Sequence, residues 1–429
     1  MFKVVKKIIK KILPEGILSK IKVLYFSRKL KRIQANHVKA LEKIRKKEKV
    51  KVVFFLIHDS VWKYEGVYKL MEADERFEPI VIVCPCVNYG EEIMLHDMRK
   101  AFTVFKEKGY NVIKTLDEAT GAWLDVKKEI KPDIVFFTNP YNLTKPQYYI
   151  TCWKDSITFY VPYGFMITDR PQMQYNTLLH NLVFGFFYES KFQIEQAKKN
   201  ASNKGINSID VGFPGIDDLL FPGKVINNVW KNNDFKKIIW APHHTIETEN
   251  EVFNYSNFLE YYEIMFSIAE KYRNKVTFSF KPHPILKSKL YKHIEWGKER
   301  TDEYYSRWKN ISNGQLEEGE YLDLFLTSDA IIHDSGSFMV EYISMNKPAL
   351  YMIRNSIIES GFSILGKAVL DSHYKSYNKQ DLITFIEKVI INHEDPLKNQ
   401  RLNLINNFLK PPNSKKASQN IMEYLKSII

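Results

Sequence analysis

The chain is poor in cysteine: Cys84, Cys86 and Cys152 are its only three among 429 residues. None forms a Cys-x-x-Cys pair or a Cys/His zinc spacing, which excludes a disulfide scaffold and predicts free thiols in a reducing compartment. No apolar run reaches the ~18 residues that a membrane-spanning helix needs. No uninterrupted apolar segment follows the start, so no secretory signal is expected. There is no internal repeat at 20–50 residues and no low-complexity tract beyond a lysine-rich beginning. Acidic residues are scarce in one place only. Residues 1–50 hold 17 Lys and Arg against 3 Glu, whereas the other 379 residues carry 46 basic and 47 acidic groups. The pI near 9.2 therefore belongs to the first 50 residues. A nucleic-acid enzyme carries its basic stripe on the working domain, so no nucleic-acid partner is expected.

What is present is enough apolar (45%) and aromatic (14%) material to fill at least two cores. At ~100° per residue, Lys3, Lys6, Lys7, Lys10 and Lys11 fall in one helical arc. Met1, Phe2, Val4, Val5, Ile8, Ile9, Ile12 and Leu13 fill the other, until Pro14 ends the helix. This is the pattern of a helix lying in a bilayer interface with lysines toward anionic headgroups. A mixed helix follows over 20–49, with Arg28, Lys29, Lys31 and Arg32 clustered.

From residue 51 short apolar strands alternate with amphipathic helices. Strands are predicted at 52–57, 80–83, 134–137, 158–161, 183–187 and 208–211, and helices at 66–73, 91–108 and 118–130. Pro214, Gly215, Pro222, Gly223 and the polar run 227–234 mark a domain boundary. The alternation restarts with strands at 237–240, 276–280, 330–333 and 349–352. Helices are predicted there at 258–272, 321–327, 337–345 and from 379 to 391 and beyond. Continuous apolar strands between helices indicate parallel, doubly covered sheets. The expected fold class is α/β: two doubly wound Rossmann-like domains, 51–225 and 236–429, facing a cleft, behind a basic amphipathic arm at 1–50.

Three segments then fall at carboxyl ends of predicted strands of the second domain, where open α/β sheets bind ligands. They are Ala241-Pro242-His243-His244, Lys281-Pro282-His283-Pro284 and Asp334-Ser335-Gly336-Ser337. Together they suit a diphosphate. A helix amino terminus offers unpaired N–H groups, and Gly336 admits phosphate close to the backbone. Ser335 and Ser337 add hydroxyls, and Glu341, on the same helical face as Ser337, can accept from ribose hydroxyls. His283 and Lys281 can offset charge on a departing phosphate. No metal centre is expected, because His243 and His244 are adjacent and in a loop need not point together, and no Asp-x-Asp lies near. In the first domain, His58, Asp59 and Asp169 are candidates for a base toward an acceptor hydroxyl.

The three segments, with Glu341, resemble the CDP-glycerol glycerophosphotransferase family, the teichoic-acid and capsule polymerases and primases of GT-B-type fold. The resemblance rests on motifs over roughly 236–355 and on architecture over 50–235. It implies that His283 contacts the pyrophosphate, that Ser335 and Ser337 hold phosphate, and that the basic arm sits on the cytoplasmic membrane face. The family's acceptor-side His-Gly stands here as Tyr163-Gly164. The Ala-Pro segment continues with two histidines in place of the usual Thr and later Arg. The Asp-Ser-Gly-Ser…Glu pattern is also similar to the nucleotide end of UDP-sugar epimerases and many GT-B glycosyltransferases. The expected function is thus a peripheral membrane transferase of bacterial surface-polymer synthesis without a cofactor. It would move a glycerol-phosphate, polyol-phosphate or sugar unit from a nucleotide-diphosphate donor to a polysaccharide or lipid-linked acceptor. The alternatives are a nucleotide-sugar glycosyltransferase, a hydrolysing UDP-sugar epimerase and a non-catalytic nucleotide or polymer binding protein.

Overall fold

The computed structural model describes residues 15–223, 226–246, 254–355 and 357–429. The amphipathic segment at 1–13 lies outside them. No helix among the described residues is long and apolar enough to cross a membrane. The chain forms two compact units, one of residues up to Tyr163 with 171–211 and 418–429, the other of 164–170 and 212–417.

The first unit is built on seven parallel strands: β1 (Val50–Leu56), β2 (Phe77–Val83), β3 (Val112–Lys114), β4 (Ile134–Phe137), β5 (Ile157–Tyr160), β6 (Gly185–Tyr188) and β7 (Ser208–Asp210). Their order is β3-β2-β1-β4-β5-β6-β7, the doubly wound arrangement whose direction reverses between β1 and β4. Apolar residues fill both faces of the central strands, as a parallel sheet covered on both sides requires. On one face Phe54, Phe136, Phe159 and Phe187 stack in series across β1, β4, β5 and β6, with successive centroids 4.8, 5.3 and 5.0 Å apart. Offset stacking of this kind adds to the burial energy of each ring.

The helix Glu15–Arg45 joins this unit through its second half. Ile33, His37 and Ile44 are buried at helical spacing, and the His37 Nε2 lies 2.7 Å from the Lys154 carbonyl. Residues 33–45 are therefore part of the folded body, while Arg28, Lys31 and Arg32 remain exposed. The helix expected over 118–130 is reduced to the single turn Val126–Ile130. Asp117 prevents an earlier start: its carboxylate accepts from the Ala119 N–H and the Thr120 hydroxyl, its carbonyl accepts from the Gly121 N–H, and Gly121 takes φ +70. Such side-chain-to-backbone bonds hold a turn against the helix.

The second unit repeats the plan with β8 (Lys236–Ala241), β9 (Val276–Phe280), β10 (Gly314–Leu316), β11 (Ala330–His333), β12 (Ala349–Met352) and β13 (Tyr374–Ser376). All are parallel, in the order β10-β9-β8-β11-β12-β13. Trp240 centres the core between Phe258, Phe280 and Trp308, at 5.9, 4.9 and 5.6 Å. Three segments depart from the expected halves, the first being the stretch from Gly212 onward, which belongs to the second unit although the first half was expected to run to 225. Residues 164–170 pack on the second unit: Thr168 pairs antiparallel with Phe362, and the Ser363 N–H donates to the Ile167 carbonyl at 2.8 Å. Residues 418–429 return to the first unit, where the Asn420 side-chain amide donates to the Val211 carbonyl.

Candidate functional site

The direction of strand order in the second sheet reverses between β8 and β11, which pair in register from Ala330–Ile238 to His333–Ala241. Their carboxyl ends therefore open a crevice at the switch point, the place where open α/β sheets hold ligands. Pro242-His243-His244 leaves one side of it and Asp334-Ser335-Gly336 the other. One carboxylate ties the two together. Asp334 is 1% exposed; its Oδ1 accepts from the His243 N–H at 2.5 Å and its Oδ2 from the Asn257 N–H at 2.7 Å. Burial pushes its pKa up to about 6, and these N–H donors hold it from going higher.

His283 enters from β9, the neighbour of β8, with its N–H donating to the Pro242 carbonyl at 3.1 Å. The three imidazoles meet. Ring centroids are 4.3 Å apart for His243 and His244, 5.1 Å for His243 and His283, and 4.3 Å for His244 and His283. One nitrogen from each ring lies within 4.8 Å of the others. The adjacency of His243 and His244, on which the absence of a metal centre was expected, does not keep the rings apart. Burial, reinforced by the neighbouring charges, lowers the pKa to about 2 for His243, 4 for His244 and 3 for His283. All three rings are thus neutral at pH 7. The His283 Nδ1 accepts from the Ile285 N–H at 3.2 Å, which leaves the proton on Nε2 as a donor. Lys289, a residue the motifs did not single out, adds a cation whose field reaches all three rings. Its only sequence signal is its place on the short helix that follows Pro284.

The helix Gly336–Ile343 presents its amino terminus at the same crevice. Ser335 occupies the N-cap position but makes no side-chain capping bond, so capping does not account for the serine. A Cβ on Gly336 would meet nothing within 4 Å, and Ser337 is exposed. These are the properties of an anion cradle. Two expected donor residues are turned inward instead. Lys281 is 5% exposed, and its Nζ donates to the Gly319 carbonyl at 2.6 Å. Glu341 is 2% exposed, with the Tyr321 hydroxyl donating to its Oε2 at 2.7 Å. Both brace the rim rather than line it.

The residues assigned to the acceptor side are divided between the two units. Asp59 is ion-paired with Lys100 at 2.9 Å and accepts from the Ser60 N–H. Burial lowers the pKa of His58, against the raising influence of Asp97 and Asp59. Tyr163 ends one stretch of the first unit, and Gly164 begins the segment that belongs to the second. Asp169 lies in that segment, exposed, with its N–H donating to the Gly361 carbonyl at 2.8 Å. It is therefore a residue of the second unit. What the motifs did not reveal is a cavity of about 210 Å³ in the first unit, lined by Phe55, Phe137, Thr138, Tyr141, Thr144 and Tyr148 among others. It sits at the carboxyl ends of β1 and β4, that unit's own switch point.

The nature of the fold follows from comparison with solved structures. A variant of the wall teichoic acid polymerase TagF soaked with CDPG superposes with a TM-score of 0.58 over 96% of this chain and 96% of that one, at 12% identity. This chain has a GT-B-like fold. MnaA from S. aureus in complex with UDP matches with a TM-score of 0.55 over 89% of this chain and 98% of its own, at 15% identity. UDP-GlcNAc 2-epimerase from Neisseria meningitidis, bound to UDP-GlcNAc, matches at 0.53 over 88% and 100%, with 16% identity. No family model matches the sequence, and no curated protein does.

Proposed function

We propose that the protein is a transferase using a nucleotide-diphosphate donor, acting in the synthesis of a bacterial surface polysaccharide or teichoic-acid-like polymer. One observation carries the reading: three convergent neutral imidazoles face an uncapped, glycine-opened helix amino terminus across the switch point of the second sheet. In this reading the diphosphate lies on the N–H groups of Gly336 and Ser337, beside the Ser335 and Ser337 hydroxyls. The His283 Nε2–H donates to the phosphoryl oxygens on which charge accumulates as the bond to the transferred group lengthens. Donors placed there in advance stabilise the transition state more than the ground state. The transferred unit is a glycerol phosphate, another polyol phosphate or a sugar. The acceptor hydroxyl falls to the first unit, whose uncharged aromatic pocket suits a polyhydroxylated group. The basic arm holds the enzyme on the anionic cytoplasmic membrane face.

The fold is shared with a TagF structure soaked with CDPG, with the MnaA structure holding UDP and with an epimerase structure holding UDP-GlcNAc, so the donor is decided by experiment. Purified protein is screened by thermal shift against CDP-glycerol, CDP-ribitol and UDP-sugars. A ligand at 100 times its dissociation constant stabilises by about 2.7 kcal/mol. A shift with CDP compounds alone supports the polyol-phosphate reading, and a shift with UDP-sugars alone replaces it with a glycosyltransferase or an epimerase. No shift with any nucleotide refutes the donor site.

A further inference from the structure

The geometry of the histidine cluster points to a role that electrostatics alone does not require. We propose that His243, His244 and His283 form a binding site for a transition-metal ion of the zinc class, with an open coordination position toward the donor diphosphate. Only the occupant of that open position rests on the function proposed above.

The donor set is three imidazoles, and no carboxylate or thiol joins them among the described residues. Neutral nitrogen ligands select borderline ions such as Zn²⁺ and Co²⁺ over Mg²⁺ and Ca²⁺, which take oxygen. Three histidines with a fourth position free is also the pattern of zinc sites that act on a ligand rather than only brace a fold. Each ring is held in a way that leaves it a ligand atom. The Thr245 hydroxyl engages the His243 Nδ1 at 2.9 Å, fixing that ring from behind and leaving Nε2 for an ion. The His244 Nδ1 is buried with no hydrogen-bond partner. The His283 Nδ1 is held only by a 3.2 Å bond from the Ile285 N–H, long enough to be given up at small cost.

The backbone is fixed as well. Asp334 clamps the His243 N–H at 2.5 Å, and the Pro242 carbonyl clamps the His283 N–H at 3.1 Å. Side-chain torsions alone must then bring the nitrogens from within 4.8 Å to the roughly 3.3 Å separation set by metal–nitrogen bonds of about 2.0–2.1 Å at a tetrahedral ion. The ion would polarise a phosphoryl oxygen of the donor as a Lewis acid. Lys289, beside the cluster, repels a bare cation and attracts the diphosphate. Ion and nucleotide should therefore bind more tightly together than apart, and reciprocally so.

The test is direct. The full chain is stripped with chelator and titrated with Zn²⁺ and Co²⁺, following bound metal by equilibrium dialysis and the Co²⁺ visible bands, which are intense for a tetrahedral ion and weak for an octahedral one. His244→Ala, His283→Ala and, as a control, His96→Ala, an exposed helical residue, are titrated alongside. Circular dichroism confirms that each is folded. The expected result is one equivalent of metal per chain with tetrahedral Co²⁺ bands in the wild type and in His96→Ala. Binding falls at least 100-fold in the two cluster variants, and Mg²⁺ does not compete. Failure to bind a stoichiometric ion, or binding unchanged in His244→Ala, overturns the proposal. The nucleotide melts are repeated with and without Zn²⁺. Nucleotide binding without metal binding rejects this site and leaves the donor reading standing. Metal binding without any nucleotide response does the reverse.

Discussion

Gly336→Ala separates a ligand cradle from an ordinary helix start, because the cradle predicts a gain in stability together with a loss of nucleotide affinity, whereas an ordinary helix start predicts the gain in stability alone. Gly336 opens the helix Gly336–Ile343, is absent from the positive-φ glycines, and has nothing within 4 Å of where a Cβ would stand. A methyl group there meets no steric cost, and alanine loses less backbone entropy on folding than glycine, a gain of about 0.5–1 kcal/mol. For a folding unit of this size that is a rise of about 1–4 °C in melting temperature. The same methyl occupies the space through which a phosphate must reach the backbone N–H groups. Losing hydrogen bonds to a charged ligand costs about 1.5–3 kcal/mol, roughly 10- to 150-fold in affinity. The variant should therefore melt slightly higher without nucleotide and show a much reduced shift with it, measured by calorimetry with and without the donor identified in the screen. A variant that is more stable and binds nucleotide as tightly as the wild type would sink the cradle. A destabilised variant would show that the open space is already used by the fold.

Four further outcomes are expected. Gly366→Ala should destabilise by about 1–3 kcal/mol, because a Cβ there would stand 2.1 Å from the Ile167 carbonyl; a denaturation midpoint equal to that of the wild type would show that the contact yields freely. His283→Ala should lower turnover by about 10²–10³-fold, and Ser337→Ala by less, since the backbone N–H groups remain; unchanged kcat with a lowered melting temperature would reduce His283 to a loop brace. Folding should weaken as pH falls from 7 to 5. Burial lowers the pKa to about 3 for His180 and about 4 for His373, so the unfolded chain takes up protons below ~6.5 that the native state refuses, about 2 kcal/mol for each histidine. Urea midpoints at the two pH values check this, and equal midpoints would contradict it. Removing residues 1–13 should release the protein from anionic liposomes, and salt should weaken the intact chain's attachment; co-sedimentation unaffected by the truncation would refute the membrane arm.

How much of this was legible before any coordinates depends on whether a feature is local. The strands that frame the site are apolar runs such as 52–57, 237–240 and 276–280. Their burial on both faces makes them readable, and a parallel sheet then puts every strand–loop junction at one edge. That is how His243, His283, Ser335 and Gly336 could be placed together with no knowledge of strand order. The edge strands β3, β10 and β13, each three residues long and partly exposed, escaped, whereas the equally short edge strand β7 was found. Strand order itself is a tertiary fact, and the finest features of the site depend on it. Because β8 lies beside β11, the Asp334 carboxylate reaches the His243 N–H across 91 residues of sequence, and because β9 flanks β8, His283 closes on both histidines. The same non-locality moved Asp169. Its segment follows a strand of the first unit, which is all that the sequence pattern registers. The contacts that claim it, to Gly361, Phe362 and Ser363, come from nearly 200 residues later. If the first unit holds the acceptor, as proposed above, a base among that unit's own residues is the first to test. There Asp59 is already paired with Lys100, which leaves His58, its pKa lowered by burial and its ring neutral at pH 7, as the group to test. His58→Gln should cut turnover while sparing donor affinity, and turnover equal to wild type would move the search to the Tyr141 side of the pocket.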